Sequence, residues 1–431
     1  MSYDSVRMNE QLDALDPSIG EFIGRYNVIT AVSALLGLKP ARQTLFLFPG
    51  GMASKLKRAT KAWDPTGPAS QVFKYKEVWV NVVTLLGGEA RQLRMHKTTA
   101  GDYRDKEDRI IIADGVVNLL GVTPYVGFTA WCSLKMIDWF VFPWDWRRSV
   151  DDVGTFFLDR FLPHFQERVQ AECNNADPLA DYSLIGHSAG GMVVNWVLRT
   201  LDPLPATLRK VITVAAPFYG YGGQLHRWFE GEPLVNEGGL FTKAIIKTIS
   251  SLPGCYSWHF LPEGFYNAHR VDFESDPAYP LPSYPSADFA TSNPVDTYNP
   301  QPPGQRYPTM AQSGFDLAEL AKSATLFDTL SSPLSAAQAA IFVNIRGDTT
   351  ANNTLNTTTW KLVPPISPSP IADSSLTPGD GVQPAWTTRD IGLAKQAPGN
   401  VINVFGGDVA HSIIMDSPQT IAHVAAVLGI P

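Results

Sequence analysis

Short apolar runs that end at proline, glycine or polar residues recur along the chain and predict buried strands. Continuous apolar runs of this length are typical of strands covered on both faces of a parallel sheet. The predicted strands are residues 43–48, 139–142, 182–185, 211–215, 340–345 and 401–405.

Stretches with apolar residues at helical spacing separate several of these runs. The predicted helices are residues 23–36, 151–171, 191–200 and 418–428. Strands that alternate with helices predict an α/β protein with a mostly parallel central sheet and helices on both of its faces.

The alternation is lost in residues 223–335, which predicts a large insertion in one fold. We expect residues 1–222 to form the first part of the core, 223–335 a cap or lid, and 336–431 the second part of the core. Within the insertion, residues 276–309 are crowded with Pro, Ser, Asn and Tyr, which forbids regular helix or central strand and leaves the role of this segment open. A polar loop is predicted between the last two strands.

The strongest chemical signal is Gly186-His187-Ser188-Ala189-Gly190, which fits the pattern G-x-S-x-G. A buried strand precedes it and an apolar helix follows, as in a nucleophile elbow. Glycines two residues before and after the serine remove Cβ atoms that would clash in so sharp a turn. The sequence therefore predicts that Ser188 is a nucleophile, exposed beside a helix N-terminus that favours developing negative charge.

A serine nucleophile needs a histidine base, and three histidines lie well past the nucleophile: His269, His411 and His423. In this arrangement the chain order is serine, acid, histidine. His411 follows the last predicted strand and precedes the last helix, so it is the expected base. His269 falls in the insertion, and His423 falls within the predicted final helix.

The acid that orients the base has three candidates. Asp380 lies in a glycine-flanked turn between the last two predicted strands, which suits an inward-aimed carboxylate. Asp348 directly follows a strand, and Asp408 is close to His411 in sequence. The residues favour Asp380 and leave the other two open.

An oxyanion formed during attack requires backbone N–H donors. The fold predicts one from Ala189, after the nucleophile, and one from the loop that follows the first core strand, where Gly51 is the candidate.

Six segments, taken together and in this order, resemble the lecithin:cholesterol acyltransferase-like family of lipases, phospholipases and transacylases. Residues 48–56 are similar to the family's PG-x-x-x-S-x-L loop, residues 186–190 match GHS-x-G, and residues 379–384 resemble GDGTVP without its threonine. The others are residues 142–147 (FPWDWR, with Trp144 in place of tyrosine), 216–218 (APF) and 252–262 (LPGCYSWHFLP).

The resemblance implies the α/β-hydrolase fold, a cap that shapes the acyl and acceptor pockets, and Asp380 as the third member of the triad with Ser188 and His411. Asp145 and Arg147, which alternate with Trp144 and Trp146, are interpreted as a packed ion pair rather than as chemical groups. The substrate is the property least transferable from the family.

Composition narrows the possible partners and the possible location of the protein. The net charge of −7, with 41 acidic against 34 basic residues, disfavours a nucleic-acid partner. Three cysteines, none in a CxxC pair, do not indicate a disulfide framework or a metal site. The first residues lack an apolar stretch after a basic region, and no run is long enough to span a membrane, so we expect a cytoplasmic location and no integral membrane segment.

The predicted activity is cleavage or transfer of a carboxylic ester with bulky apolar groups, without metal or organic cofactor. The expected partner is an apolar, lipid-like ester; the sequence leaves the oligomeric state undetermined. Acyl transfer to an alcohol, amide hydrolysis and polyester depolymerisation remain open on the same triad. The alternative from a different functional class is a binding protein that retains the fold but has no catalytic activity.

Overall fold

The computed structural model describes most of the predicted core and only pieces of the insertion. The described residues are 2–37, 42–68, 71–79, 89–99, 102–117, 124–174, 176–220, 248, 252–258, 261–273, 286–287, 316–362 and 370–431.

The described strands form a parallel six-stranded central sheet, a three-stranded sheet built on a long antiparallel hairpin, a three-stranded antiparallel sheet and a two-stranded antiparallel ribbon. The strands are β1 (Thr44–Phe48), β2 (Ser54–Ala59), β3 (Tyr75–Trp79), β4 (Met95–Lys97), β5 (Tyr103–Asp105), β6 (Ile111–Val116), β7 (Asp138–Val141), β8 (Tyr182–His187), β9 (Leu208–Val214), β10 (Ser286–Ala287), β11 (Phe342–Gly347), β12 (Thr349–Leu362), β13 (Pro370–Gly379) and β14 (Val401–Val404).

The order of the central sheet is β7-β1-β8-β9-β11-β14, and every neighbouring pair is parallel. From β1 the chain first adds β7 on one side and then builds the rest of the sheet on the other. The carboxyl ends of β1 and β8 therefore meet at a topological switch point, where sheets of this kind place their ligands.

Helices cover both faces of the sheet. The described α-helices of the whole chain, those of the insertion included, are α1 (Tyr3–Leu35), α2 (Val126–Leu134), α3 (Val150–Phe156), α4 (Leu162–Glu172), α5 (Ala189–Thr200), α6 (Pro253–Tyr256), α7 (Glu263–Phe273), α8 (Leu317–Ser331), α9 (Ala336–Ile341), α10 (Ile391–Gln396) and α11 (Pro418–Leu428).

Alternate residues of the central strands enter two separate apolar clusters. In β1, Phe46 and Phe48 pack with α1, α4 and α5, whereas Leu45 and Leu47 pack with α2 and α11. Because side chains alternate along a strand, a run that is apolar throughout is buried on both faces. This confirms the predicted parallel sheet with helices on both sides.

Three local predictions need correction. The first helix begins at Tyr3 rather than near residue 23 and contains Pro17. The predicted helix 151–171 is present as α3 and α4, joined by a π-helical turn, Phe157–Phe161. The predicted polar loop is instead the antiparallel hairpin β12–β13, because threonine is polar yet β-branched and fits a strand.

The predicted cap, residues 223–335, lies largely outside the described residues, and so does most of the segment 276–309. Its described parts include α6, α7 and α8. Its assignment as a cap remains a prediction. Among the described residues, no helix combines the length and apolarity needed to cross a membrane.

Candidate active site

Ser188 lies at the switch point, in the turn between β8 and α5. Its backbone has φ 52° and ψ −128°, which L residues adopt only when the surrounding structure enforces it. The turn leaves no room for side chains: a Cβ on Gly186 would lie 2.3 Å from the Gly190 carbonyl oxygen, and one on Gly190 would lie 2.3 Å from the Phe48 carbonyl oxygen. Glycine is therefore a steric requirement at both positions.

The structure brings Ser188, His411 and Asp380 into one hydrogen-bonded chain. His411 Nε2 lies 2.8 Å from Ser188 Oγ, and His411 Nδ1 lies 2.6 Å from Asp380 Oδ2. These residues are 223 and 31 positions apart in sequence, respectively. The arrangement of nucleophile, base and orienting carboxylate is the one that activates a serine hydroxyl.

Backbone contacts hold Asp380 in place. Its Oδ1 accepts hydrogen bonds from Val382 N–H at 3.0 Å and Gln383 N–H at 2.7 Å, which leaves Oδ2 for His411. The Asp380 carbonyl also accepts from His411 N–H at 2.8 Å. The acid and the base are therefore joined through the main chain as well as through their side chains.

The two rival aspartates have other partners. Asp348 Oδ2 accepts from Asn403 Nδ2 at 3.1 Å and lies 3.5 Å from Arg346. Asp408 Oδ2 accepts from Ser417 Oγ at 3.1 Å. Asp380 is the aspartate that meets His411.

The other histidines singled out by sequence lie apart from Ser188. His269 is in α7, with its Nδ1 3.2 Å from Asp272 Oδ2. His423 is half-buried within α11.

The loop after β1 runs beside the nucleophile. A Cβ on Gly50 would lie 3.2 Å from Ser188 Cβ, and one on Gly51 would lie 3.4 Å from Ala189 Cβ. Gly51 and Ala189, the candidate oxyanion donors, are thus neighbours. The indole ring of Trp258 contacts Gly51 from the insertion side, which indicates that this tryptophan packs insertion against core.

Two tryptophans fix the course of this loop. Trp144 Nε1–H donates to the Pro49 carbonyl at 2.9 Å, and Trp79 Nε1–H donates to the Met52 carbonyl at 2.7 Å. Each indole satisfies a loop carbonyl while burying its ring. Nothing in the sequence motif of Trp144 indicates which carbonyl its indole reaches, so this contact could not be predicted.

Asp145 and Arg147 form the predicted ion pair. Arg147 is fully buried, and its Nε and Nη2 donate to the two carboxylate oxygens of Asp145 at 2.8 and 2.6 Å. Arg147 also donates to Asp105 at 2.7 Å. Burial by itself would raise the pKa of Asp105, but Arg147 and Arg148 outweigh it and lower the pKa. This buried pair anchors the segment that carries Trp144.

Sequence reasoning missed one polar pair at the site. His187, which belongs to the nucleophile motif but was given no role there, lies 3.0 Å from the Tyr125 hydroxyl through Nδ1 and 2.9 Å from the His411 carbonyl through Nε2. Tyr125 also accepts from Gly50 N–H at 2.8 Å. No short motif marks Tyr125. The sequence signal for this pair was therefore limited to His187, the polar residue directly before the nucleophile.

Among the described residues, no group of three or more His, Cys, Asp or Glu side chains is arranged to hold a metal ion.

The parallel sheet, its switch point and the strained turn after β8 define the α/β-hydrolase fold. A comparison with known protein families finds no matching family, and a comparison with curated proteins finds no relative. Among solved structures, a chain of the Tle4–Tli4 complex is similar at 12% identity and a TM-score of 0.48, over 91% of this chain and 98% of that chain. The product of gene lin2722 from Listeria innocua is similar at 14% identity and a TM-score of 0.31, over 90% and 94%.

Proposed function

We propose that this protein is a serine hydrolase that cleaves or transfers carboxylic esters with bulky apolar groups. The observation that carries the proposal is the hydrogen-bonded chain from Asp380 through His411 to Ser188, with distances of 2.6 and 2.8 Å. A base within hydrogen-bond reach of a nucleophile, itself oriented by a third group, is the signature of covalent catalysis.

In the proposed reaction, Ser188 Oγ attacks the acyl carbonyl carbon while its proton passes to His411 Nε2. Asp380 holds the Nδ1–H and stabilises the imidazolium that forms. The alcohol then leaves with the proton from His411, and an acyl-enzyme remains. Water, or a second alcohol, attacks the acyl-enzyme with His411 again as base and frees Ser188.

The amides of Gly51 and Ala189 are proposed to hold the oxyanion of each tetrahedral intermediate. The proximity of these two residues and the N-terminal position of Ala189 in α5 support this role. Gly50 N–H is engaged by Tyr125, which favours its neighbour Gly51 as the loop donor.

A relationship to the lecithin:cholesterol acyltransferase-like family is part of the proposal. Residues 48–56 form the loop beside Ser188, residues 142–147 brace that loop through Trp144, and residues 379–384 carry Asp380. Three motifs distant in sequence thus meet around one site. The Trp258 indole lies beside Gly51, the proposed oxyanion donor, and this apolar ring supports the proposal of an apolar substrate.

The first experiment measures hydrolysis of p-nitrophenyl esters from acetyl to palmitoyl. We expect Ser188→Ala to lower kcat by on the order of 10^4-fold or more. Ser183→Ala is the matched control, because Ser183 is a buried serine of the same strand, β8, outside the triad. The chain length that gives the highest kcat/KM measures the acyl pocket.

Labelling by a fluorophosphonate probe tests the serine independently of substrate choice. Labelling of the native protein and of Ser183→Ala, but not of Ser188→Ala, supports the proposal. A native protein that neither labels nor turns over any ester would instead indicate a binding protein that retains the fold. Products formed with an added alcohol separate a transacylase from a hydrolase, and amide and polyester substrates test the remaining alternatives.

A further inference from the structure

His187 is a buried histidine whose two ring nitrogens contact two different parts of the site. Only 5% of its surface is exposed. The His411 carbonyl 2.9 Å from Nε2 can only accept, so Nε2 carries a proton. Burial, and secondly the neighbouring His411, lowers the pKa of His187 well below its ordinary value. The ring is therefore neutral, and Nδ1 is an acceptor.

The tautomer of His187 fixes the direction of the remaining hydrogen bonds. Since Nδ1 accepts, the Tyr125 hydroxyl 3.0 Å away donates to it. Burial raises the pKa of Tyr125, which keeps its proton on the oxygen. The same oxygen accepts from Gly50 N–H at 2.8 Å. Each of these groups thus has a partner that matches its donor or acceptor character.

These contacts form one line across the site: Gly50 N–H to Tyr125, Tyr125 O–H to His187, and His187 Nε2–H to the His411 carbonyl. One end is the loop that carries the proposed oxyanion donor Gly51. The other end is the loop that carries the proposed base. The middle, His187, is bonded covalently to Ser188.

We propose that Tyr125 and His187 are positioning residues that hold the oxyanion loop and the base in register with the nucleophile. This inference rests on the proposed function. Gly50 N–H points to Tyr125, and the orientation of that peptide constrains the next one, whose N–H belongs to Gly51. The His411 main chain is fixed from both sides, by His187 at its carbonyl and by the Asp380 carbonyl at its N–H.

A small displacement at this site carries a large kinetic cost. Misplacement of a catalytic group by about 1 Å lowers the rate by about 100-fold. Removal of the Tyr125 hydroxyl would leave Gly50 N–H and His187 Nδ1 without their partner, so the Pro49–Gly50 peptide would be held only at its carbonyl, by Trp144. Ground-state binding of an apolar acyl chain does not involve these atoms. The effect should therefore fall on kcat rather than on KM.

The test compares Tyr125→Phe with Tyr182→Phe on the best p-nitrophenyl ester. Tyr182 is a buried tyrosine of β8 at the opposite end of that strand from Ser188, and serves as the matched control. We expect Tyr125→Phe to lower kcat by about 10- to 100-fold with KM nearly unchanged. Tyr182→Phe should keep the native kcat.

A histidine 15N NMR spectrum gives a readout that does not depend on turnover. We expect neutral His187 protonated at Nε2, and an Nδ1 resonance that shifts in Tyr125→Phe but not in Tyr182→Phe. Protonation of neutral His187 at Nδ1 would overturn the inference even if Tyr125→Phe failed to fold. A folded Tyr125→Phe variant with native kcat would overturn the positioning role of Tyr125 and His187. The proposed function would still stand in that case, because it depends on activity that requires Ser188. Absence of that activity from the native protein would overturn both.

Discussion

The two halves of the candidate site are built differently. Ser188 follows β8, and the loop that carries Gly51 follows β1, the strand paired with β8 in the central sheet. Glycines allow the backbones of these two segments to approach closely. Asp380 and His411 instead lie on loops after the hairpin strand β13 and the four-residue strand β14. Hydrogen bonds, from Val382 N–H, Gln383 N–H and between the two residues themselves, hold this second half.

The difference shows that steric constraints position the nucleophile, whereas hydrogen bonds position the acid and the base. The conformation of the nucleophile turn is restricted by close packing, because a Cβ at Gly186 or Gly190 would collide with backbone atoms. The acid–base half depends on a few directional contacts, each worth about 1–3 kcal/mol when it is removed from a buried site. Substitution of the glycines in the first half should therefore lower stability, whereas substitution of Asp380 or His411 in the second should lower the reaction rate.

After the loss of Ser188 itself, the largest effect is expected in the acid–base half. Asp380→Asn removes the charge that orients His411 and should lower kcat by about 10^3- to 10^4-fold while the fold persists. Asp348→Asn is the control, because Asp348 contacts Arg346 and Asn403 rather than His411. Its kcat should stay within about threefold of native. Steady-state kinetics on one ester decide the matter, and equal losses in both variants would remove Asp380 from its proposed role.

The nucleophile half is tested by Gly190→Ala. A Cβ there would lie 2.3 Å from the Phe48 carbonyl oxygen and 2.5 Å from that of Pro49, so we expect stability to fall by about 3 kcal/mol or more. Gly20→Ala is the control, because no atom beyond the neighbouring residues and backbone of helix α1 lies within 4 Å of its new Cβ. That change should raise stability by up to about 1 kcal/mol. Urea unfolding measures both, and a Gly190→Ala protein as stable as native would refute the steric argument.

The smallest effect concerns His187, which joins the halves. Its pKa is lowered in the folded state, so below the unfolded value of about 6.5 the unfolded chain binds a proton that the folded chain does not. Stability should therefore fall as pH decreases, and His187 should account for up to about 2 kcal/mol of loss between pH 7 and pH 5.

The measurement is urea unfolding of the native protein and His187→Gln at pH 7 and at pH 5. The substitution removes the titrating group, so the native protein should lose more stability over this interval than the variant. Equal losses in the two proteins would show that His187 does not resist protonation in the folded state.

The sequence predicts the sheet and the nucleophile turn because both depend on local patterns. Apolar runs such as residues 44–48 identify strands buried on both faces, and the glycines around Ser188 mark a turn with one steric solution. The acid is harder to assign, since Asp348, Asp380 and Asp408 all lie in loops near strand ends. The residues favour Asp380, the family resemblance implies it, and the tertiary structure brings its carboxylate to His411.

Two other features could not be predicted from local pattern. The hairpin β12–β13 is rich in threonine and asparagine, whose polarity resembles that of a loop although threonine is β-branched. The contact between Tyr125 and His187 joins residues 62 positions apart, and neither residue type has a fixed partner in sequence.

The hairpin β12–β13 makes the acid's position independent of the intervening chain length. It begins and ends at paired residues, Thr349 and Gly379, immediately before Asp380. A further bridge joins Gly379 to Pro384 and closes the turn that holds the carboxylate. Doubling the length of a flexible loop costs only about 0.6 kcal/mol of closure entropy, so added residues at the outer end would disturb the pair of Thr349 and Gly379 little. In evolution or in engineering, the hairpin is thus a site where whole segments can be exchanged without relocating the carboxylate.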